Sequence, residues 1–276
     1  MGVYGVIGFP VSQSMSPIMH NQEFQALQMD AYYTAFAVHP SQLEQAIEGI
    51  RALHIKGINV TIPHKVAVID YLDEIDEEAR LIGAVNTIKN ENGRLIGSNT
   101  DGEGYLRSLL FLSKAPLATK KVLVVGAGGA ARAIVIAIAR HGVQKIDIAN
   151  RTISKAEQLV KHANQFVAGS AISIHDAEEH LSEYDIVINT TSVGMSPHVT
   201  DSPLQVHNLK RGTIVSDLIY NPLTTLFLKQ AKERGALIDN GVGMFVHQGA
   251  LAFEKWTGIS PNLERMTKTV LNELGG

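Results

Sequence analysis

Residues 122–132 read V-L-V-V-G-A-G-G-A-A-R, and this run constrains the fold more than any other stretch of the chain. A short apolar run rich in β-branched residues is a buried strand, and the alanine- and isoleucine-rich segment that follows has the length and composition of a helix. Between them Gly126, Gly128 and Ala131 fall at the G-x-G-x-x-A spacing. Each position has a physical reason: Gly126 permits the tight turn, Gly128 lets backbone approach a pyrophosphate, and Ala131 lets helix and strand pack closely. Phosphate oxygens at such a turn meet the N–H groups and the positive dipole end of the helix. The strand before and the helix after raise a short glycine pattern to a dinucleotide fingerprint.

The end of the next strand, I-D-I-A-N-R-T-I-S-K, bears on which dinucleotide. An NAD site places Asp or Glu about 20 residues past the glycines to accept from the ribose 2′-hydroxyl. Here the strand ends at Asn150, followed by Arg151, Thr152 and Lys155, with no acid among them. Donors and two positive charges suit a 2′-phosphate, so the expected cofactor is NADP. Asp147 is expected to point away by strand alternation.

The 276 residues are 45% hydrophobic, which excludes a disordered chain and allows two domains. Net charge is −3, against a dedicated nucleic-acid partner. Residues 105–240 carry 15 basic and 11 acidic groups, whereas residues 1–104 carry 6 and 13. The absence of cysteine excludes disulfides, thiolate metal sites and a cysteine nucleophile. His175 and His180 lack the spacing of a helical metal motif, and no metal is expected. The first charged side chain is Glu23, so the start lacks the basic region of a secretory signal. The run Ala133–Ala139 is far short of a membrane span, and a cytoplasmic protein without membrane or nucleic-acid partners is expected.

Strand and helix patterns alternate throughout, which predicts an α/β fold with mostly parallel sheets. Expected strands lie at 2–8, 32–38, 57–61, 84–89, 94–98, 121–125, 145–149, 185–189, 213–217 and 236–239. Asn92-Gly93 marks a hairpin between the fourth and fifth. Helices are expected from Ser16 (as N-cap, with Pro17 following), over 41–53, briefly after Pro63, and over 101–112, 129–141, 154–163, 222–234, 244–257 and 260–274. The expected division is a substrate domain over 1–104, a dinucleotide domain over 105–241, and final helices over 242–276.

Polar residues cluster in the first of these parts. Ser12, Ser14 and Ser16 lie between a strand and a helix start, a seat for a small carboxylate. The run N-V-T-I-P-H-K places Thr61 at a strand end and Lys65 beyond it; G-A-V-N-T presents Asn86, and S-N-T-D-G sets Asp101 at a helix start.

These motifs, in this order, resemble the shikimate dehydrogenase family over nearly the whole chain. The likeness runs from G-F-P-V-S-Q-S-M-S-P-I-M-H-N through the motifs above to N-R-T-I-S-K-A, N-T-T-S-V-G-M, D-L-I-Y-N-P and G-V-G-M-F-V-H-Q-G-A. The resemblance implies NADP-dependent interconversion of 3-dehydroshikimate and shikimate, and a Rossmann-type second domain. It implies a catalytic pair of Lys65 and Asp101, with Ser14, Ser16 and Tyr220 on the substrate carboxylate. Thr61, Asn86, Asp101 and Gln248 would hold the ring hydroxyls. Gly126, Ala127, Gly128, Gly129 and Ala130 would cradle the pyrophosphate, and Asn150, Arg151, Thr152 and Lys155 the 2′-phosphate. Leu218, Gly241 and, by spacing alone, Glu77 complete the implied cofactor residues. Because Gln248 has to reach the substrate, the last helices would return to the first domain, and the active site would lie in a cleft able to open and close. The expected assembly is a monomer or homodimer. Two rival readings stay open: a quinate/shikimate dehydrogenase of wider specificity, and a non-catalytic NADP-binding module. The second predicts loss of Lys65 or Asp101, and both are present.

Overall fold

The structure is a computed structural model that describes residues 1–113 and 115–275. It divides into two compact units, Met1–Gly104 with Val246–Gly275, and Tyr105–Phe245. Among the described residues no helix is long and apolar enough to cross a membrane.

The first unit begins with β1 (Gly2–Gly8), α1 (Ser16–Ala26), β2 (Ala31–Ala37), α2 (Leu43–Ala52) and β3 (Gly57–Val60). After a 3₁₀ turn over Ala67–Tyr71 come β4 (Glu74–Ile75), α3 (Glu77–Ile82), β5 (Thr87–Glu91), β6 (Arg94–Ser98) and the start of α4 (Asp101–Leu112). Its sheet has the order β2-β1-β3-β5-β6-β4. The first three strands are parallel, and β6 and β4 run with them; β5 alone runs antiparallel to its neighbours β3 and β6, so this sheet is mostly parallel with one reversed strand. The hairpin itself reverses the chain: Asn92 (φ 55°) and Gly93 (φ 94°) both take positive φ, the geometry of a tight hairpin turn.

The second unit holds β7 (Lys121–Val125), α5 (Gly129–His141), β8 (Lys145–Ala149), α6 (Ile153–Ala163), β9 (Ala171–Ile172) and α7 (Ile174–Glu179). It continues with β10 (Ile186–Asn189), β11 (Ile214–Asp217), α8 (Leu226–Glu233), β12 (Leu237–Asp239) and the start of α9 (Gly241–Thr257). All six strands are parallel in the order β12-β11-β10-β7-β8-β9. The order reverses between β7 and β10, and in such sheets ligands bind at the carboxyl ends beside that reversal. The glycine turn follows β7, and the N-T-T-S-V-G-M loop follows β10.

Several boundaries differ from expectation for local reasons. The segment expected to be helical from Pro222 becomes α8 only at Leu226, where the Thr225 hydroxyl accepts from the Leu228 N–H and caps it. Likewise α10 (Leu263–Glu273) starts after Asn262, whose side chain accepts from the Arg265 N–H, not at Ser260. The helix expected near Met244 already begins at Gly241. The short elements β4, α3, β9 and α7 are too brief to show a period; α3 and α7 are announced only by their caps, Asp76 and Ser173.

The C-terminal part of α9 and α10 pack within the first unit. Trp256 packs with Tyr4, Phe24, Tyr33 and Phe253, and its indole N–H donates to the Ile88 carbonyl at 2.9 Å. Gly57 is the strand residue that makes room: a Cβ there would lie 2.5 Å from the indole ring. Overpacking of this kind costs about 1–3 kcal/mol, so Gly57→Ala should lower the thermal unfolding midpoint of the whole protein, as read by calorimetry; an unchanged midpoint would contradict this packing.

Candidate active site

Lys65 and Asp101 meet in the first unit. The Lys65 Nζ donates to Asp101 Oδ2 at 2.6 Å, with the lysine side chain 15% and the carboxylate 4% exposed. Each is placed by short-range constraints. Upstream of Lys65, the buried His64 ring bonds the Val38 carbonyl at 2.7 Å, and the Lys65 carbonyl itself accepts from the Val85 N–H. Asp101 opens α4, where its N–H donates to Asn99 Oδ1 and its charge lies at the positive end of the helix dipole.

Asn86, just ahead of β5, connects this pair to its surroundings. Its Nδ2 donates to Asp101 Oδ1 at 2.8 Å and Thr100 Oγ1 at 2.9 Å, and faces Gln248 Oε1 at 3.4 Å. Its Oδ1 accepts from the Thr100 N–H and the Thr87 hydroxyl, both at 2.8 Å. Asn86, Asp101 and Gln248, far apart in sequence, therefore share one polar cluster, with Lys65 on its more exposed side. Thr61 is half-buried at the end of β3, with its N–H donating to the Ile7 carbonyl.

Ser14 and Ser16 adjoin the start of α1, but Ser16 is not its N-cap. The helix begins at Ser16 with Met15 in the cap position, and the Ser16 N–H donates to Ser14 Oγ at 3.3 Å. The Ser16 side chain is instead buried beside the Tyr33 hydroxyl. Glu77 is the exposed first residue of α3, in the first unit.

In the second unit Gly126 takes φ +112°, and a Cβ there would lie 2.4 Å from Thr190 Oγ1. Gly128 is exposed, and a Cβ there would meet nothing within 4 Å. The turn is thus crowded behind Gly126 and open in front of Gly128. No side chain caps α5, which leaves its first N–H groups for an anion, and Ala131 is fully buried against the sheet. These features fit a dinucleotide pyrophosphate over Gly126, Ala127, Gly128, Gly129 and Ala130.

Past β8, the Asn150 Nδ2 donates to the Thr152 carbonyl at 2.8 Å, which fixes the bend, while Arg151, Thr152 and Lys155 are exposed. Asp147 is turned into the protein, where it accepts from the Ser170 N–H and the Tyr184 hydroxyl, each at 2.9 Å, and pairs with Lys145. Leu218 donates its N–H to the Asn189 carbonyl, and Gly241 passes so close that a Cβ would lie 2.1 Å from the Leu218 carbonyl. Tyr220 stacks at a tilt on Phe245 with ring centres 4.6 Å apart, also in the second unit. Among the described residues no group of three or more His, Asp or Glu could hold a metal ion.

Sequence reasoning missed the buried partners of this site. Asn59, Thr87, Thr100 and Tyr33 bond to one another or to Asn86. The signal available was polar residues at buried strand positions, which alternation alone would assign to the apolar set.

Two inward-turned carboxylates close the carboxyl ends of β11 and β12. Burial pushes Asp217 up to about 6, although Thr225, the Ile219 N–H and Asn189 all donate to it. Burial likewise pushes Asp239 up to about 6, against one donor, the Ser216 hydroxyl.

A glycine turn on the parallel sheet of the second unit and a part-buried Lys–Asp pair in the first unit are the features of a nucleotide-dependent oxidoreductase. Residues 6–88 match the shikimate dehydrogenase substrate binding domain, 110–218 the shikimate / quinate 5-dehydrogenase domain, and 241–271 the shikimate 5′-dehydrogenase C-terminal domain. The chain belongs to the shikimate dehydrogenase family. It is 56% identical over 274 residues to the shikimate dehydrogenase (NADP(+)) of Geobacillus sp. (strain WCH70), covering 99% of each chain. A crystal structure of a shikimate dehydrogenase in complex with NADP+ superposes with a TM-score of 0.92 at 43% identity, over 99% of this chain and 96% of that one. The shikimate 5-dehydrogenase of Thermus thermophilus, in complex with NADP(H) and shikimate, gives 0.88 at 34% identity over 99% of both chains.

The raised pKa of Asp239 has a definite sign. Between about pH 4 and 6 the folded state holds a proton that the unfolded state has released, so this group's contribution to stability falls as pH rises through that window. Asp239→Asn carries no such charge. Its unfolding midpoint should rise relative to the wild type between pH 4 and pH 7, and a constant difference across that range would contradict the burial of a charge there.

Proposed function

We propose that this chain is an NADP-dependent shikimate dehydrogenase that reversibly reduces 3-dehydroshikimate to shikimate. The observation that carries the reaction is the Lys65–Asp101 pair at 2.6 Å, held by Asn86. When bound, the reduced nicotinamide supplies a hydride to the carbonyl carbon. Lys65 stabilises the oxyanion that develops and gives it a proton; Asp101 holds the ammonium in place and takes part in the proton balance. A polyhydroxylated ring needs partners that both donate and accept, and Thr61, Asn86 and Gln248 are of that type. Ser14, Ser16 and Tyr220 serve the substrate carboxylate through neutral donors. Asn150, Arg151, Thr152 and Lys155 would hold the 2′-phosphate, and Leu218 and Gly241 would lie beside the nicotinamide. Glu77 belongs to the cofactor site on the resemblance alone. The enzyme works in the cytoplasm on small molecules, as a monomer or homodimer.

The direct test is NADPH oxidation with 3-dehydroshikimate, beside quinate oxidation as a comparison; no turnover with 3-dehydroshikimate would refute the reading. General acid–base help is typically worth about 10²–10⁴-fold, so Lys65→Ala should lower kcat by that range while shikimate still binds in a titration. Lys65→Arg keeps the charge without the compact ammonium and should restore little. If binding accounts for the whole loss, Lys65 is not the acid.

Arg151→Ala removes a charged contact to the 2′-phosphate and leaves NAD contacts alone. The KM for NADP should rise roughly tenfold or more, with that for NAD nearly unchanged. Equal effects on the two cofactors would refute the role of this loop.

A further inference from the structure

The M-H-N end of the first serine-rich motif has no part in the chemistry described so far, yet two of its residues, His20 and Asn21, both hold Tyr33. Asn21 grips the backbone of Tyr33 on edge strand β2: its Nδ2 donates to the Tyr33 carbonyl and its Oδ1 accepts from the Tyr33 N–H, both at 2.8 Å. His20 is fully buried and stacks on the Tyr33 ring, centres 4.5 Å apart and planes 18° from parallel. Met19 is fully buried too, with its terminal methyl against Gly249. A tyrosine this firmly held, with no solvent exposure, has to aim its hydroxyl at a specific partner.

That partner begins a chain of hydrogen bonds with a single direction. The Tyr33 hydroxyl donates to Asn59 Oδ1 at 2.7 Å. Asn59 cannot turn its amide the other way, because its Nδ2 faces the Asn86 main-chain carbonyl at 3.2 Å, which can only accept. The same Nδ2 donates to Thr87 Oγ1 at 3.3 Å, and the Thr87 hydroxyl, which also lies 3.3 Å from Thr100 Oγ1, donates to the nearer Asn86 Oδ1 at 2.8 Å. Asn86 then has its Nδ2 toward Asp101 Oδ1, opposite the oxygen that takes Lys65. Every link is buried, where a misdirected amide leaves two unpaired polar atoms and where a chain of hydrogen bonds polarises along its length.

We propose that Tyr33 is a positioning residue for the catalytic pair: its hydroxyl anchors the Asn59–Thr87–Asn86 relay that, together with the Thr100 N–H, keeps an Asn86 N–H pointed at Asp101. This rests on Lys65 and Asp101 being the pair that turns over the substrate. A hydrogen bond donated to a carboxylate favours its charged form, so weakening the last link moves the pH dependence of turnover by the catalytic pair to higher pH. The phenol also touches the Ser16 side chain, so its loss reaches the proposed carboxylate seat as well.

The test is Tyr33→Phe, which keeps the ring between its neighbours and deletes one oxygen. One neutral hydrogen bond corresponds to up to about tenfold. The variant should fold, lose about threefold to tenfold in kcat, and show the acid limb of its kcat–pH profile displaced to higher pH. In an Asn86→Ala background the same substitution should have almost no further effect on kcat, since the relay is already cut. Thr87→Val, which cuts it one link from Asn86, should displace the limb in the same direction and decides the matter if Tyr33→Phe does not fold. A wild-type limb in either folded variant, or losses in Tyr33→Phe and Asn86→Ala that simply multiply, overturns the proposal. Asp101→Asn separates the two levels. Wild-type kcat in that variant removes the catalytic pair itself, whereas an inactive Asp101→Asn beside an unaffected Tyr33→Phe removes only the relay.

Discussion

The side chain of Asn86 has almost no contact with solvent, and a buried amide must find partners for both its ends or cost the fold several kcal/mol. Satisfying it draws four segments together. The Thr100 N–H and the Thr87 hydroxyl supply its oxygen, while Thr100, Asp101 and Gln248 surround its nitrogen. Its main chain is used as well: the N–H donates to Ser98, and the carbonyl accepts from Val60 and Asn59. The antiparallel strands β5 and β6, the first turn of α4 and the return of α9 are thereby set against one another within the first unit. The ion pair of Lys65 with Asp101 inherits its geometry from this network. A lysine and a carboxylate on long loops would hold each other only weakly in water; here the carboxylate is already immobile when the ammonium arrives.

The second unit solves a different problem with regular structure. Six parallel strands need crossovers, and the crossovers bring every strand's carboxyl end to one edge. At the point where strand order reverses, the turn after β7 and the loop after β10 face each other, close enough that Gly126 has no room for a methyl group beside Thr190. Positive charge near the end of β8 and an uncapped helix start make that edge attractive to phosphate. The same edge carries Asp217 and Asp239, acids whose charged forms burial disfavours. Asp217 recovers part of that cost by tying Asn189, Ile219 and Thr225 together at the ends of β10 and β11.

Much of this was legible in the chain. The glycine turn, the long amphipathic helices and the central strands announce themselves because each is decided by neighbours within one or two turns. The Asn92-Gly93 hairpin was legible for the same reason. Lys65, Asn86 and Asp101 stand out as polar residues at strand ends and a helix start, and the likeness to a family groups them at one site, where the structure bonds them together. Ser16 misled: a serine before a proline is the usual helix cap, yet its side chain is buried beside Tyr33, which is 17 positions away and invisible to any local rule. The short elements α3 and α7 escaped because six residues do not make a period.

Sequence alone determined the α/β class, the glycine turn after β7, and a donor-rich loop past β8 in place of an acid. Those are properties of contiguous residues, set by sterics and backbone hydrogen bonding over a few positions. Tertiary structure decided which strand of the hairpin runs against its sheet, the point at Val246 where the chain returns to the first unit, and the order of donors running from Tyr33 to Asp101. The physical reason is that a hydrogen-bond direction belongs to pairs of groups. Asn59 and Thr87 can each donate or accept, and only the partners that folding places around them, Tyr33 at one end and the Asn86 carbonyl at the other, select one of the two senses.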